Sequence, residues 1–155
     1  MKNISKNITY IEATKSATAI KKGIDNTPTN ETLKIMQYVA ENVFEPLREH
    51  FNVPIGITSF YRSSALNKAV GGSSTSEHVN GSAIDIDADV FGRITNKEIF
   101  NYIKDNLNFN QLIWEFGNDN EPDWVHVSLK KSGNKKQILQ AKKINGRTKY
   151  INYGN

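Results

Sequence analysis

The sequence predicts a single α+β domain built around an antiparallel sheet. Two runs, Ala83–Ala88 and Trp124–Leu129, alternate between apolar and polar residues, the pattern of half-buried strands. A stripe of Leu33, Met36, Ala40, Val43, Phe44, Leu47 and Phe51 recurs at helical spacing and reads as core. At 155 residues, 37% of them hydrophobic, the chain is long enough to fill one core.

The elements follow in order. Thr9-x-x-Glu12 has the form of a capping box, with Ile8 before it as a staple residue. Ala13, Ala17, Ile20 and Ile24 then predict one helix ended by Gly23, and residues 25–28 a turn. A longer helix starts near Glu31. Pro46 predicts either a kink or a fresh short helix with the proline in its first turn. Residues 54–59 read as a strand, and 64–70 as a short helix stopped by Gly71-Gly72, with a polar loop at 73–77. Thr95-x-x-Glu98 is a second capping box, for a helix reaching about Asn106. Residues 111–116 and 124–129 predict an antiparallel hairpin beside the 83–88 strand, joined by the turn residues 117–122. Residues 137–141 and 148–153 read as strands joined through Asn145-Gly146.

The alternation places Ile84 and Ile86 on one face of their strand, and Asp85 and Asp87 on the other. Asp has low strand propensity, so two on one face ask for a partner, and a divalent metal is one. His78 lies on the loop leading in, and Gly81 allows that loop to turn back over Asp85. The chain has only three His. His126 shares a strand face with Trp124 and Ser128, behind the apolar Val125, Val127 and Leu129. Two His and one carboxylate, with a fourth position for water, is the ligand set of a catalytic zinc site. The plainer alternative is a structural role for each His, and other first-row ions suit the same set. With no cysteine, a thiolate site and a disulfide framework are both excluded.

Ser76-x-His78-x-x-Gly81-x-Ala83-x-Asp85, followed far downstream by Trp124-Val125-His126, resembles the zinc D-Ala-D-Ala carboxypeptidase and L-alanyl-D-glutamate peptidase family. The resemblance, to the phage-type small peptidoglycan peptidases, covers about residues 8–130 and leaves 131–155 as a basic C-terminal extension. It implies the hedgehog/D-Ala-D-Ala-peptidase fold, with helices packed on one side of the sheet. It implies one Zn2+ per chain, held by His78, Asp85 and His126. The implied activity is a metallopeptidase cutting an amide in the stem peptide of peptidoglycan, of D-Ala-D-Ala carboxypeptidase or L-Ala–D-Glu endopeptidase type. Zinc can lower the pKa of a bound water from about 15.7 to about 7.

In the family resembled, the general base lies three positions before the last His, which here is Asp123. Residues three apart on a regular strand face opposite ways, so this requires a bulge or a strand starting at Trp124. Glu115, in the paired strand, is the rival base. Arg62 stands in Ser59-Phe60-Tyr61-Arg62-Ser63, similar to the family's S-G-Y-R-S but with Phe60 in place of the glycine. The resemblance gives Arg62 the role of polarising the scissile carbonyl or binding a substrate carboxylate. Ser76 would orient a ligand or the substrate, Asp87 could do so for a His, and Tyr61 and Trp124 would line the groove.

No run of eighteen apolar residues predicts a membrane span, and Met1–Asn7 has no apolar region of a signal peptide. Synthesis in the cytoplasm is therefore expected, with a holin or phage particle giving access to the wall. From Lys130 onward there are eight Lys or Arg and no Asp or Glu, which leaves the rest of the chain at −4 within a total of +4. Such a segment steers toward polyanions or is simply a solvated basic surface. It lacks the interleaved aromatics of a nucleic-acid platform, so no nucleic-acid partner is expected. The second functional class is a non-catalytic zinc-bearing structural or wall-binding module, for example in a phage particle.

Overall fold

Residues 2–154 are described by the structure, a computed structural model. The first helix, α1 (Tyr10–Thr14), starts at Thr9 with the expected capping box to Glu12, and the staple residue Ile8 is buried. The expected single helix to Gly23 breaks at Lys15 and restarts as α2 (Ala17–Lys22). The Ser16 hydroxyl accepts the Ala19 N–H, offering the backbone a local alternative to continuing the helix. Ile20 is 78% exposed and so adds no burial that would hold the helix continuous. Gly23 ends α2 in the left-handed conformation, as expected.

The long apolar stripe divides as Pro46 requires. It forms α3 (Asn30–Val39), a π-helical turn at Ala40–Phe44, and α4 (Glu45–Phe51) with Pro46 in its first turn. Proline has no N–H to donate one turn back, and the widened turn accommodates the missing bond. Met36, Val39, Ala40, Val43, Phe44 and Leu47 all remain buried.

Then follow β1 (Gly56–Ser59), α5 (Ser64–Ala69), β2 (Ala83–Asp87), a short 3-10 turn and α6 (Asn96–Asn106) with the second capping box. The chain ends with β3 (Gln111–Glu115), β4 (Trp124–Ser128), β5 (Gln137–Ile144) and β6 (Arg147–Asn152). The strands form one sheet in the order β1-β2-β4-β3-β5-β6. Each pair is antiparallel except β3 with β5. The basic C-terminal extension is thus part of the sheet. Asn145 (φ 51°) and Gly146 (φ 74°) make its turn, both with the positive φ that a two-residue hairpin loop favours.

One face of the sheet carries the core. Ile84, Ile86, Leu112, Trp114, Val125 and Val127 pack there with residues of α3, the π-helical turn, α4 and α6, such as Met36, Phe44, Leu47, Phe100 and Ile103. Strand alternation turns Asp85 and His126 to the other face, beside a small apolar cluster of Ile113, Leu139 and Ala141. Among the described residues no helix is long and apolar enough to cross a membrane.

Gly81 joins the two faces, because the loop carrying His78 turns there against α3. Its φ is +80°, and a Cβ would lie 2.7 Å from Met36 Cγ and 3.0 Å from Thr32 Cγ2. Strain and overpacking therefore act together in Gly81→Ala, with an expected loss of about 2–4 kcal/mol. Denaturant unfolding should show a lower midpoint with an unchanged slope.

Candidate metal centre and active site

Asp85 lies in β2 between two strands, with Ser59 of β1 opposite it on one side and His126 of β4 on the other. A bulge between Ile57 and Ser59 sets the Ser59 register. His126 Nδ1 is 2.9 Å from Asp85 Oδ1. His78 Nε2 is 3.3 Å from Asp85 Oδ2. The three residues present donor atoms that all lie within 4.8 Å of one another.

His78 is fixed by its surroundings. Its Nδ1 lies 2.7 Å from the Phe60 carbonyl oxygen, and its own carbonyl accepts the Arg62 N–H at 3.2 Å. A carbonyl can only accept, so Nδ1 carries a proton, and Nε2 on the far side of the ring faces the Asp85 carboxylate. Two electron-rich groups turned toward each other require a cation between them, either a proton or a metal. Two imidazole nitrogens and a carboxylate oxygen match the preference of zinc. The residues present therefore fit a bound zinc ion.

Burial alone would raise the Asp85 carboxyl, but the charges and hydrogen bonds of His78 and His126 outweigh it and hold Asp85 well below the usual carboxylate range. Glu115 behaves in the opposite way. It is only 6% exposed. Burial, opposed by His126 and assisted by the Asp85 charge, pushes it from its ordinary 4.5 up to about 7. The register explains why Glu115 feels these groups. Ile113 pairs with His126 and Glu115 with Trp124, so Glu115 shares the His126 face one diagonal step away.

Asp123, the other candidate base, does not join this cluster. It is exposed and precedes β4. It lines a cavity with Phe116, Asn118, Asp119, Ala141 and Lys142. Its N–H donates to the Glu115 carbonyl and its own carbonyl accepts from Asn96 Nδ2. The strand does begin at Trp124, which was one condition for Asp123 to reach the site, and the Asp123 carboxylate makes no hydrogen bond to His78, Asp85 or His126.

Arg62 and Tyr61 line one cleft together with Asp85. The Arg62 Nε is buried without a hydrogen-bond partner among the described residues. Phe60 places its side chain in the core while its carbonyl orients His78, so the missing glycine leaves the site intact. The Ser76 hydroxyl accepts the His78 N–H at 3.4 Å and so acts on the turn rather than on a ligand atom. Trp124 is half-buried against the Phe116 ring, 5.4 Å between centroids. Asp87 does not support a His. It accepts from Asn96 Nδ2 and from the Asp89 N–H, which ties β2 to α6. The third His, His50, stacks on Tyr102 away from the cluster.

Glu77 is a positioning residue that reading by motif passed over. Its carboxylate accepts from Ser128 Oγ at 2.8 Å and from Asn110 Nδ2 at 3.2 Å, which anchors the His78 loop to β4. The available signal was Ser128, a buried hydroxyl two residues from His126 and so on the same face.

A family model described as peptidase M15 matches residues 6–128. The chain belongs to the peptidase M15 family. Among curated proteins no match is found. The match agrees with the resemblance carried by His78, Asp85 and His126, and the M15 peptidase is a metallopeptidase of a zinc-dependent family. The matched span contains all three of these residues and ends at the last residue of β4, before β5 and β6.

Two measurements check this site. Elemental analysis should find one zinc per chain after zinc loading, and His78→Ala should lose it. Metal-free protein should also show the Glu115 proton in its stability. A raised folded-state pKa contributes stability that is present below about pH 4.5 and lost as pH rises through about 7. Glu115→Gln removes that loss, so the variant should gain on wild type across this window by up to about 3 kcal/mol, with no difference below it. Asp85 has the opposite sign, since its stabilisation is lost as pH falls below the ordinary carboxylate range.

Proposed function

We propose that this M15 peptidase hydrolyses an amide bond in the stem peptide of peptidoglycan, with Glu115 as general base. The observation that carries the reading is a buried carboxyl, raised to about 7, on the same sheet face as the His78–Asp85–His126 group. A base with its pKa near neutrality is well matched to taking a proton from water and passing it to a leaving amine. Bound at His78, Asp85 and His126, zinc would supply Lewis acidity toward water and the scissile carbonyl. A cation there would also draw the Glu115 pKa downward, so the base form would prevail at neutral pH.

Arg62 has a separate task. Its guanidinium borders the same cleft as Asp85 and has hydrogen-bonding capacity unused by the protein. It would bind an acceptor oxygen of the substrate, either the scissile carbonyl or a stem-peptide carboxylate. Its planar fork suits either better than a lysine. Tyr61 would flank the same acceptor.

The test is release of new amines from purified peptidoglycan and soluble stem peptides. Glu115→Gln should lower kcat by about 10²–10⁴-fold while keeping its zinc. Asp123→Asn should stay within about twofold of wild type, since its side chain is exposed and makes no hydrogen bond to the ligands. Arg62→Lys should lose about 10–100-fold in kcat/KM. Full activity in Glu115→Gln combined with loss in Asp123→Asn would transfer the base to Asp123. Wild type that binds zinc but releases no amine from any stem peptide would leave a zinc-bearing binding module.

A further inference from the structure

The C-terminal hairpin lies outside the matched residues, yet its register brings it to the active face. Glu115 pairs with Ala141 of β5, and Ala141 pairs in turn with Tyr150 of β6. Directly paired residues project to the same face, so Glu115, Ala141 and Tyr150 form one row across three strands. The middle member has only a methyl group. Adjacent strands are about 4.8 Å apart, so the Glu115 and Tyr150 backbones are separated by about 10 Å, a gap a tyrosine and a glutamate can close from either side. Ala141 is nonetheless fully buried, whereas Tyr150 is 55% exposed.

We propose that the β5–β6 hairpin forms one side of the substrate cleft, and that Tyr150 touches the bound peptide by donating its phenolic O–H to a peptide carbonyl. The inference rests on the stem-peptide reading above. The strand order fixes the geometry. Arg62 follows β1 at one edge, Tyr150 is in β6 at the other, and Asp85, His126 and Glu115 lie between them on β2, β4 and β3. An extended peptide would cross the strands, held by a donor on each side of the reacting centre. Within the row, an ionised Glu115 only accepts and Ala141 offers no polar group, so a neutral phenol adds the donor that a carbonyl needs. Burial and the nearby Glu115 and Asp85 charges raise the Tyr150 phenol above its ordinary value, which keeps its proton in place at neutral pH.

Tyr150→Phe tests this because it keeps the ring and removes only the O–H. Turnover of soluble stem peptides is measured for wild type and Tyr150→Phe. Peptide binding is measured by calorimetry for Glu115→Gln with and without Tyr150→Phe. KM and the dissociation constant should each rise about tenfold, with zinc content and thermal midpoint unchanged. A peptide whose carbonyls on the side away from Arg62 are replaced by methylenes should show no such difference. If wild type cleaves in a Glu115-dependent way and Tyr150→Phe matches it in KM and binding, the hairpin proposal is overturned while the proposed function stands. A lower thermal midpoint with unchanged binding would reduce Tyr150 to a packing residue and also overturn it. If wild type neither binds nor cleaves any stem peptide, both fall together.

Discussion

Asp85 is held between two imidazoles, and much of the active face is arranged to keep it there. A buried carboxylate with no partner costs several kcal/mol, and the cost is offset only when its oxygens meet charges or hydrogen bonds of good geometry. Here one oxygen faces His126 and the other His78. The two rings come from different places, a neighbouring strand and the loop before β2. Each therefore needs its own restraint. His126 is fixed by strand register, and His78 by the Phe60 carbonyl, the Gly81 turn against α3 and the anchor of Glu77 on Ser128.

The sheet separates the two tasks of the chain. Its helix-covered face, from Ile84 to Trp114, supplies the apolar burial that keeps β2 and β4 in register. A slip of one residue would exchange Ile84 for Asp85 and empty the metal group of its carboxylate. The core thus specifies the site mainly through strand register. The same alternation places Glu115 on the face of His126. Glu115 lies within a paired strand and inherits its face from the register, whereas Asp123 lies just outside one and follows the loop.

Local signals in the sequence were legible. Both capping boxes, the Pro46 restart, the Asn145-Gly146 turn and the two alternating strands formed where their residues indicated. These features depend on contacts within a few residues. The His78, Asp85 and His126 grouping was also legible, because ligand chemistry left few other choices in a chain with three His and no Cys. What escaped was non-local or in local competition. Ser16 captured the Ala19 N–H and split a helix that apolar spacing alone would continue. Asp87 shares a face with Asp85, but Asn96 claims it from a helix nine residues on. The parallel pairing of β5 with β3 joins segments that no turn connects, so no short motif announces it.

That parallel pairing bears on the chemistry. Without β5, β3 would be an edge strand, with Glu115 at its open end. With β5 in place, Ala141 covers the Glu115 backbone on one side while Trp124 covers it on the other. Burial is the first cause of the raised Glu115 pKa, and one of the two strands beside it, β5, lies beyond the family match. The ligands need only β2, β4 and the preceding loop. The metal group thus lies wholly within the matched residues, while part of the surroundings of Glu115 comes from the segment that follows. In that division the basic hairpin bears on the Glu115 carboxyl through its apolar residue Ala141, whatever its lysines do at the surface.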